Sequence, residues 1–462
     1  MSDPFAPIHE LAPEIAAGRL SPVEVTEACL DRIAALDPDL TAFAAVYAEE
    51  AGAAAEAAHR VIRAGHRIGP LHGIPIGVKD LCDIEGRITT GGAAIWKERR
   101  SPTTATLVER LRAAGMIIIG KTHTVEFAYG GWGTNNSLGT PRNPWDRKTH
   151  RIPGGSSSGT GAAVGAGLIP CGIGTDTGGS VRLPAAFCGT AGLKTSVGRI
   201  STHGVLPLSH TLDTPGPLAR AVEDCAWLLE AMQGPDPRDR KTRRLAPADA
   251  TSGLRRGVHG LCLARLPDAE RAAFDAEVLA AYDASLAVLE DLGAHIMDID
   301  MPRAIADFAP LVATIIGAES YTHLKEVVDD ENQPLDPDIR PRVAAGGQLS
   351  AHDYVAALLD REDVMAAFDD AMDGIDALLT PTACFAAIPV AAVNQETTPA
   401  TVTRMGNYLG LTGLALRNGF TRTGLPTSLL VNARDGDEAL ALRIGWAYEQ
   451  ATDWHRRIPE GY

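Results

Sequence analysis

Residues 153–184 read Pro-Gly-Gly-Ser-Ser-Ser-Gly-Thr-Gly-Ala-Ala-Val-Gly-Ala-Gly-Leu-Ile-Pro-Cys-Gly-Ile-Gly-Thr-Asp-Thr-Gly-Gly-Ser-Val-Arg-Leu-Pro. Residues 153–161 are a small-residue loop, 162–168 a compact helix able to pack closely on a sheet, 171–174 a short buried strand, and 175–180 a second tight turn. Upstream, the apolar run 73–78 ends at Lys79-Asp80, residues 106–114 have helical periodicity, and Met116-Ile117-Ile118-Ile119 reads as a buried strand stopped by Gly120. Short β-branched strands alternating with helices predict an α/β sheet with helices on both faces.

Toward the N-terminus, residues 7–66 are predicted helical, with Ser21-Pro22 and Glu24 as a helix start. Toward the C-terminus, residues 234–252 are rich in Pro, Asp and Arg and read as a surface connection. Residues 261–263 and 296–299 read as strands. Between them Phe274, Val278, Tyr282, Leu286 and Leu289 line one face of an amphipathic helix stopped by Gly293. Residues 304–374 are mainly helical, 377–380 and 428–431 return to strand, and a helix over about 438–456 ends the chain.

The 462 residues exceed what one core usually fills, and the composition (45% hydrophobic, 22% charged) is that of a globular protein. Fifty-eight acidic against 42 basic side chains give a net charge of −16, which argues against a nucleic-acid binder that works by a general basic field. Seven scattered cysteines with no C-x-x-C pair point to a reducing compartment without structural zinc. The start Met1-Ser2-Asp3-Pro4 has no basic and apolar leader, and no apolar run reaches the roughly 18 residues of a membrane span, so the expected address is the cytoplasm, with no membrane partner.

Three features bear on chemistry. Gly154-Gly155-Ser156-Ser157-Ser158-Gly159 reads as a linker or, through Gly155-x-Ser157-x-Gly159, as a nucleophile elbow; a phosphate loop fails for want of a G-K-[ST] ending. The elbow needs a strand before its serine, and residues 149–153 are a poor one. Asp176-Thr177-Gly178-Gly179-Ser180 is either a tight turn or a cradle of inward N–H groups for an oxyanion. Lys79 is either a surface charge after a strand or, if buried, a lysine whose lowered pKa lets it act as a base.

Together, Gly154 to Pro184 with Ser156, Ser180 and Arg182 resembles the amidase signature family. The similarity extends through residues 73–80, 120–128 and 142–145 upstream, and 187–194 and 449–455 downstream; it is strong over 70–230, weak over about 240–370 and moderate beyond. The resemblance implies Ser180 as nucleophile, Ser156 as bridging serine entered by a cis peptide bond, and Lys79 as ultimate base. It further implies an oxyanion hole at Thr177, Gly178 and Gly179 beside the Ser180 N–H. Asp176 and Arg182 are read as a structural pair bracing the turn, with Ser157 as further support. None of the thirteen histidines is required. His123, Thr124, Thr195 and residues 414–418 depart from the usual family pattern.

By the same resemblance the fold is a large mixed sheet flanked by helices: an N-terminal helical region over 1–66, a catalytic core over 67–235, a helical cap over the pocket at 240–370, and a return to the core sheet over 371–462. Phe127, Tyr129 and Trp132 read either as core packing or as an apolar or aryl pocket wall, with Gly130 and Gly131 leaving room for a ligand. The family covers aliphatic, aryl and peptide amides, carbamates, ureas and the glutaminase subunit of a tRNA amidotransferase. The expected partner is a small amide or carbamate, with no metal or organic cofactor and a homodimeric assembly; a non-catalytic protein on the same fold is the contrasting expectation.

Overall fold

The computed structural model describes residues 3–462; Met1 and Ser2, half of the start read for a leader, lie outside it. One sheet of eleven strands organises the chain. The strands are β1 (Phe43–Val46), β2 (Pro75–Lys79), β3 (Ile117–Thr122), β4 (Cys171–Asp176), β5 (Ala191–Lys194), β6 (Thr214–Ala219), β7 (Cys262–Ala264), β8 (His295–Met297), β9 (Ala377–Pro381), β10 (Thr412–Phe420) and β11 (Pro426–Ala433). Their order is β1-β3-β2-β4-β6-β5-β10-β11-β9-β7-β8. The sheet is mixed: β2 runs parallel to β3 and β4, and β7 parallel to β8 and β9, while the other pairs are antiparallel.

Every residue of β2, β3, β4, β5, β6, β9 and β11 is buried. Successive side chains on a strand point to opposite faces, so burial throughout means both faces are covered. The helices Ser158–Gly165 and Arg182–Cys188 pack on each other and on the central strands. Val222–Met232, Ala276–Asp291 and Glu438–Ala451 pack against β5, β6, β10 and β11.

The N-terminal region is helical over Ile8–Ala16, Pro22–Leu40 and Ala48–Arg63. Ser21 caps the second of these through a reciprocal box with Glu24, with Pro22 at the first turn. Strand β1 interrupts this region, for which the sequence pattern predicts helix alone. The helix after the Gly-Ser loop begins at Ser158, inside the loop as read from sequence.

Residues 240–370 are not wholly a cap. Strands β7 and β8 lie within them and extend the sheet from β9, because Cys262-Leu263-Ala264 supplies an apolar run for that edge. The part that overlies the cavity described below is the helix Phe308–Val328 with the short helix Arg340–Gly346. These two cross at their glycines: a Cβ on Gly346 would run into the carbonyl of Gly317.

Candidate active site

Strands β2 and β4 are parallel neighbours, so their C-terminal ends lie side by side at one edge of the core. Lys79 is the last residue of β2, and Thr175 and Asp176 end β4. This register brings the Lys79 ammonium nitrogen to Thr175, to whose Oγ1 it donates at 2.8 Å; it donates equally to Ser156 Oγ at 2.8 Å. The Gly155–Ser156 peptide bond is cis. The Ser156 carbonyl accepts from the Val125 N–H at 3.2 Å and the Thr124 hydroxyl at 3.0 Å. Lys79 and Ser156 are fully buried. Burial, with no ion pair on Lys79 among the described residues, lowers its pKa to about 7.

Ser180 sits after the turn that leaves β4 and faces a cavity of about 250 Å³. Its carbonyl accepts from the Ser157 N–H at 3.2 Å, tying the two loops together. The Ser156 and Ser180 hydroxyls do not hydrogen-bond to each other in this structure. Ser157 is placed differently. Its hydroxyl packs on Thr175, accepting from the N–H and donating to the carbonyl, both at 3.3 Å. It does so over Gly174, where a Cβ would approach it to 2.6 Å. Fully buried, with no strand before it, Ser157 lacks the exposed hydroxyl that the elbow reading needs.

The turn is held by Asp176 and Arg182, both fully buried. Arg182 grips the carboxylate with two donors, Nε at 3.0 Å and Nη2 at 2.9 Å, and Asn407 adds a third at 2.9 Å. Burial alone would raise the pKa of Asp176, but the Arg182 charge and these hydrogen bonds hold it well below the usual carboxylate range. Asp176 also takes the Gly179 N–H at 2.8 Å and the Val181 N–H at 3.1 Å. That leaves the N–H groups of Thr177, Gly178 and Ser180 with no acceptor among the described residues, while that of Gly179 is occupied. Gly179 has φ +133°, and a Cβ there would strike the Thr403 hydroxyl, so this position needs glycine. The Thr177 hydroxyl donates to Asp213 at 2.5 Å.

Tyr129, Gly130, Gly131 and Trp132 line the cavity with Gly155, Thr177, Gly178 and Ser180. Trp132 stacks on Phe385 with ring centroids 5.9 Å apart. Phe127 does not line the cavity; it packs edge-on to Trp96 among Val125, Leu324 and Val343 and is core. Sequence reasoning missed Thr175, Arg342, Arg404 and Gln395. Thr175 opens the second turn as read from sequence, but its contact with Lys79 spans 96 residues of chain and depends on the β2–β4 pairing; the other three come from segments with no motif.

The Amidase family model matches residues 24–442. A glutamyl-tRNA(Gln) amidotransferase subunit from Chloroflexus aggregans (strain MD-66 / DSM 9485) is 36% identical, over 96% of this chain and 96% of that protein. A solved structure from a complex tied to the evolutionary origins of an s-triazine catabolic enzyme has a TM-score of 0.90 at 30% identity, covering 96% of this chain and 98% of its own. A bacterial aryl acylamidase of the amidase signature enzymes has a TM-score of 0.88 at 25% identity, covering 99% of each chain. With its mixed eleven-stranded sheet and its match over most of its length, the chain belongs to the amidase signature family of hydrolases acting on C–N bonds.

Proposed function

We propose that this hydrolase cleaves a small carboxylic amide through an acyl-enzyme on Ser180. The observation that carries the reading is the fully buried Lys79, whose nitrogen lies 2.8 Å from the Ser156 hydroxyl, beside the loop that Ser180 shares. A lysine with its pKa near 7 is substantially neutral at physiological pH and can accept a proton. In this mechanism Lys79 takes the Ser156 proton while Ser156 takes that of Ser180. The Ser180–Ser156 hydrogen bond forms as substrate docks. Ser180 Oγ attacks the carbonyl carbon, and the oxyanion is met by the free N–H groups of Thr177, Gly178 and Ser180. The relay returns the proton to the leaving nitrogen as the C–N bond breaks. Water then adds to the acyl-enzyme, gives its proton to the relay and releases the acid.

The relay acts on a proton and the backbone N–H groups act on an oxyanion, so neither discriminates what leaves; a carbamate or urea would use the same steps. At about 250 Å³ the cavity lies below the roughly 300–1,000 Å³ of pockets for drug-sized ligands, which supports a small substrate. A second reading, glutaminase subunit of a tRNA-dependent amidotransferase, is favoured by the 36% identity to a glutamyl-tRNA(Gln) amidotransferase subunit.

The test is hydrolysis of amides, anilides, esters and carbamates by wild type and Ser180→Ala, with mass spectrometry for a trapped adduct. The expected result is an acyl adduct on Ser180 and a loss of kcat by several orders of magnitude in the variant. Wild-type rates in Ser180→Ala would remove the assignment.

A further inference from the structure

Two guanidinium groups enter the cavity beside the reacting centre, and neither has a carboxylate partner among the described residues. Arg404 comes from the helix Thr401–Tyr408, the helix that also places Thr403 against Gly179 and Asn407 against Asp176. Its side chain lies along the oxyanion turn: a Cβ built on Gly178 would be 3.6 Å from Arg404 Cγ and 3.8 Å from its Nε. Its side chain donates to the Ala309 carbonyl, from Nη1 at 3.0 Å. Arg342, from the short helix Arg340–Gly346, also lines the cavity, near enough for its charge to act on Arg404. Its Nη1 donates to the Tyr129 carbonyl at 3.2 Å, and its Nη2 to the Gln395 carbonyl and side-chain oxygen, both at 2.7 Å. A Cβ on Gly130 would lie 3.6 Å from that Nη1. Both arginines are therefore braced by neutral oxygens, which fix their geometry; neither is paired with a carboxylate, and only Arg342 feels acidic charge at a distance, from Asp338 and Asp336.

Among the described residues, the only carboxylate on the cavity wall is Glu396, which is exposed and pairs with neither arginine. Burial lowers the pKa of both guanidinium groups, and for Arg404 the charge of Arg342 acts in the same direction. A partly desolvated cation is costly unless an anion meets it, and two of them facing one small cavity raise that cost. A guanidinium is also the side chain best shaped for two-point recognition of a carboxylate. The rest of the wall near the arginines, with Leu183, Leu208 and Ile316, is apolar, and two cations beside it disfavour a cationic substrate.

From this geometry we infer that the substrate carries a carboxylate a short chain away from the scissile C–N bond, seated on Arg404 with Arg342 as a second cation on the same cavity. The inference rests on the amide-hydrolase reading above and narrows it to short amides of carboxylate-bearing compounds, such as the monoamide of a small dicarboxylic acid. Closeness of Arg404 to Gly178 is what keeps the spacer short, since the carbonyl oxygen must sit at that same turn.

The experiment compares kcat/KM of the full-length enzyme for malonamate, succinamate, glutaramate and N-acetylglycine, each against its uncharged methyl ester or alkyl isostere. One charged amide is expected to exceed its neutral isostere by about 10–100-fold, the range set by hydrogen bonds to a charged group. Arg404→Gln and Arg342→Gln are each expected to collapse that ratio, with Arg404→Gln collapsing it further. Neutral isosteres turned over as well as or better than their charged counterparts in wild type overturn the inference without any variant. Should no amide be turned over and no adduct form on Ser180, calorimetric binding of succinamate and its methyl ester to wild type and Arg404→Gln separates the two readings. Carboxylate binding that depends on Arg404 keeps the anion site while the amide-hydrolase reading falls; binding of both compounds alike, or none, overturns the anion site as well.

Discussion

Lys79 carries the most consequential electrostatics in the molecule. It is fully buried, makes two hydrogen bonds to hydroxyl oxygens and forms no ion pair among the described residues, so burial lowers its pKa to about 7. A base works only when unprotonated. Well below pH 7 the ammonium form dominates and kcat/KM is expected to fall about tenfold per pH unit, levelling off above that pH. A pH–rate profile on any turned-over amide measures this limb. Lys79→Met is expected to remove the limb and lower kcat by roughly 10²–10⁴-fold, the usual worth of a general base. A limb unchanged in Lys79→Met would assign the titration to another group. At this scale the sequence was informative where the chain is locally constrained. Ser156, Ser180, Asp176 and Arg182 lie within 27 residues of one another along the chain, and two consecutive glycines announce a turn, whose second residue, Gly179, tolerates nothing larger. The occupied N–H of Gly179 was not readable, because it depends on how the Asp176 carboxylate turns once Arg182 and Asn407 hold it. Arg342 and Arg404 were equally hidden: a lone arginine in a helix looks like a solvated charge until the neighbouring element is known.

Among the elements, acidic side chains help tie the overlying helices to the core: Glu319 of Phe308–Val328 accepts from Ser209 and Thr211, and Glu126 of the core holds the segment between the two helices. Glu126, fully buried in the short turn Glu126–Ala128, accepts the Asp336 N–H at 2.9 Å and the Ser137 hydroxyl at 3.2 Å. Burial, with the nearby Asp336 charge adding to it, raises its pKa to about 7 against an ordinary value of 4.5. The folded state thus prefers the protonated acid: its contribution is fully present below about pH 4.5 and is lost as pH rises through about 7. Glu126→Gln keeps an acceptor and cannot ionise. Its Tm relative to wild type is therefore expected to rise between pH 5 and pH 8, as read by calorimetric melts at both pH values. A difference that does not change with pH would show that Glu126 is not carrying that titration. Elements differed in how legible they were for the same kind of reason. The apolar runs at β2, β3 and β4 and the amphipathic helix Ala276–Asp291 announce themselves by period. Strand β6, Thr-Pro-Gly-Pro-Leu-Ala, has two prolines and a glycine, a composition that carries no strand signal; its place between β4 and β5 is a tertiary fact. Strand β10 was obscured by Arg417 and Asn418, polar residues that are nevertheless buried, with the Arg417 guanidinium over the rings of Trp145 and Phe420.

At the scale of the whole molecule, the cavity is assembled from segments that the chain order keeps far apart. The segments that carry Lys79, Ser156 and Ser180 come from residues 79–180, one arginine from the helices over the cavity, the other from a helix just before β10. Every group that the mechanism uses, Lys79, Ser156, Ser180 and the three free N–H groups, belongs to this one chain. The net charge of −16 supplies no general field for a tRNA, and no helix among the described residues is long and apolar enough to cross a membrane. These facts bear on the choice between a self-sufficient amide hydrolase and a protein that needs partners, a choice that identity to an amidotransferase component leaves open. A complete site predicts activity in isolation: the purified chain is expected to release ammonia from a small amide with no other protein present. Its specific activity is expected to stay constant on dilution from micromolar to nanomolar enzyme, because every group that the proposed mechanism uses lies on this one chain. Activity that falls on dilution would mean that a second copy shapes the site. A chain that forms the Ser180 adduct with a reactive acyl probe yet turns over no amide alone would have its chemistry intact and its substrate delivered by another protein, and the amidotransferase reading would then take precedence.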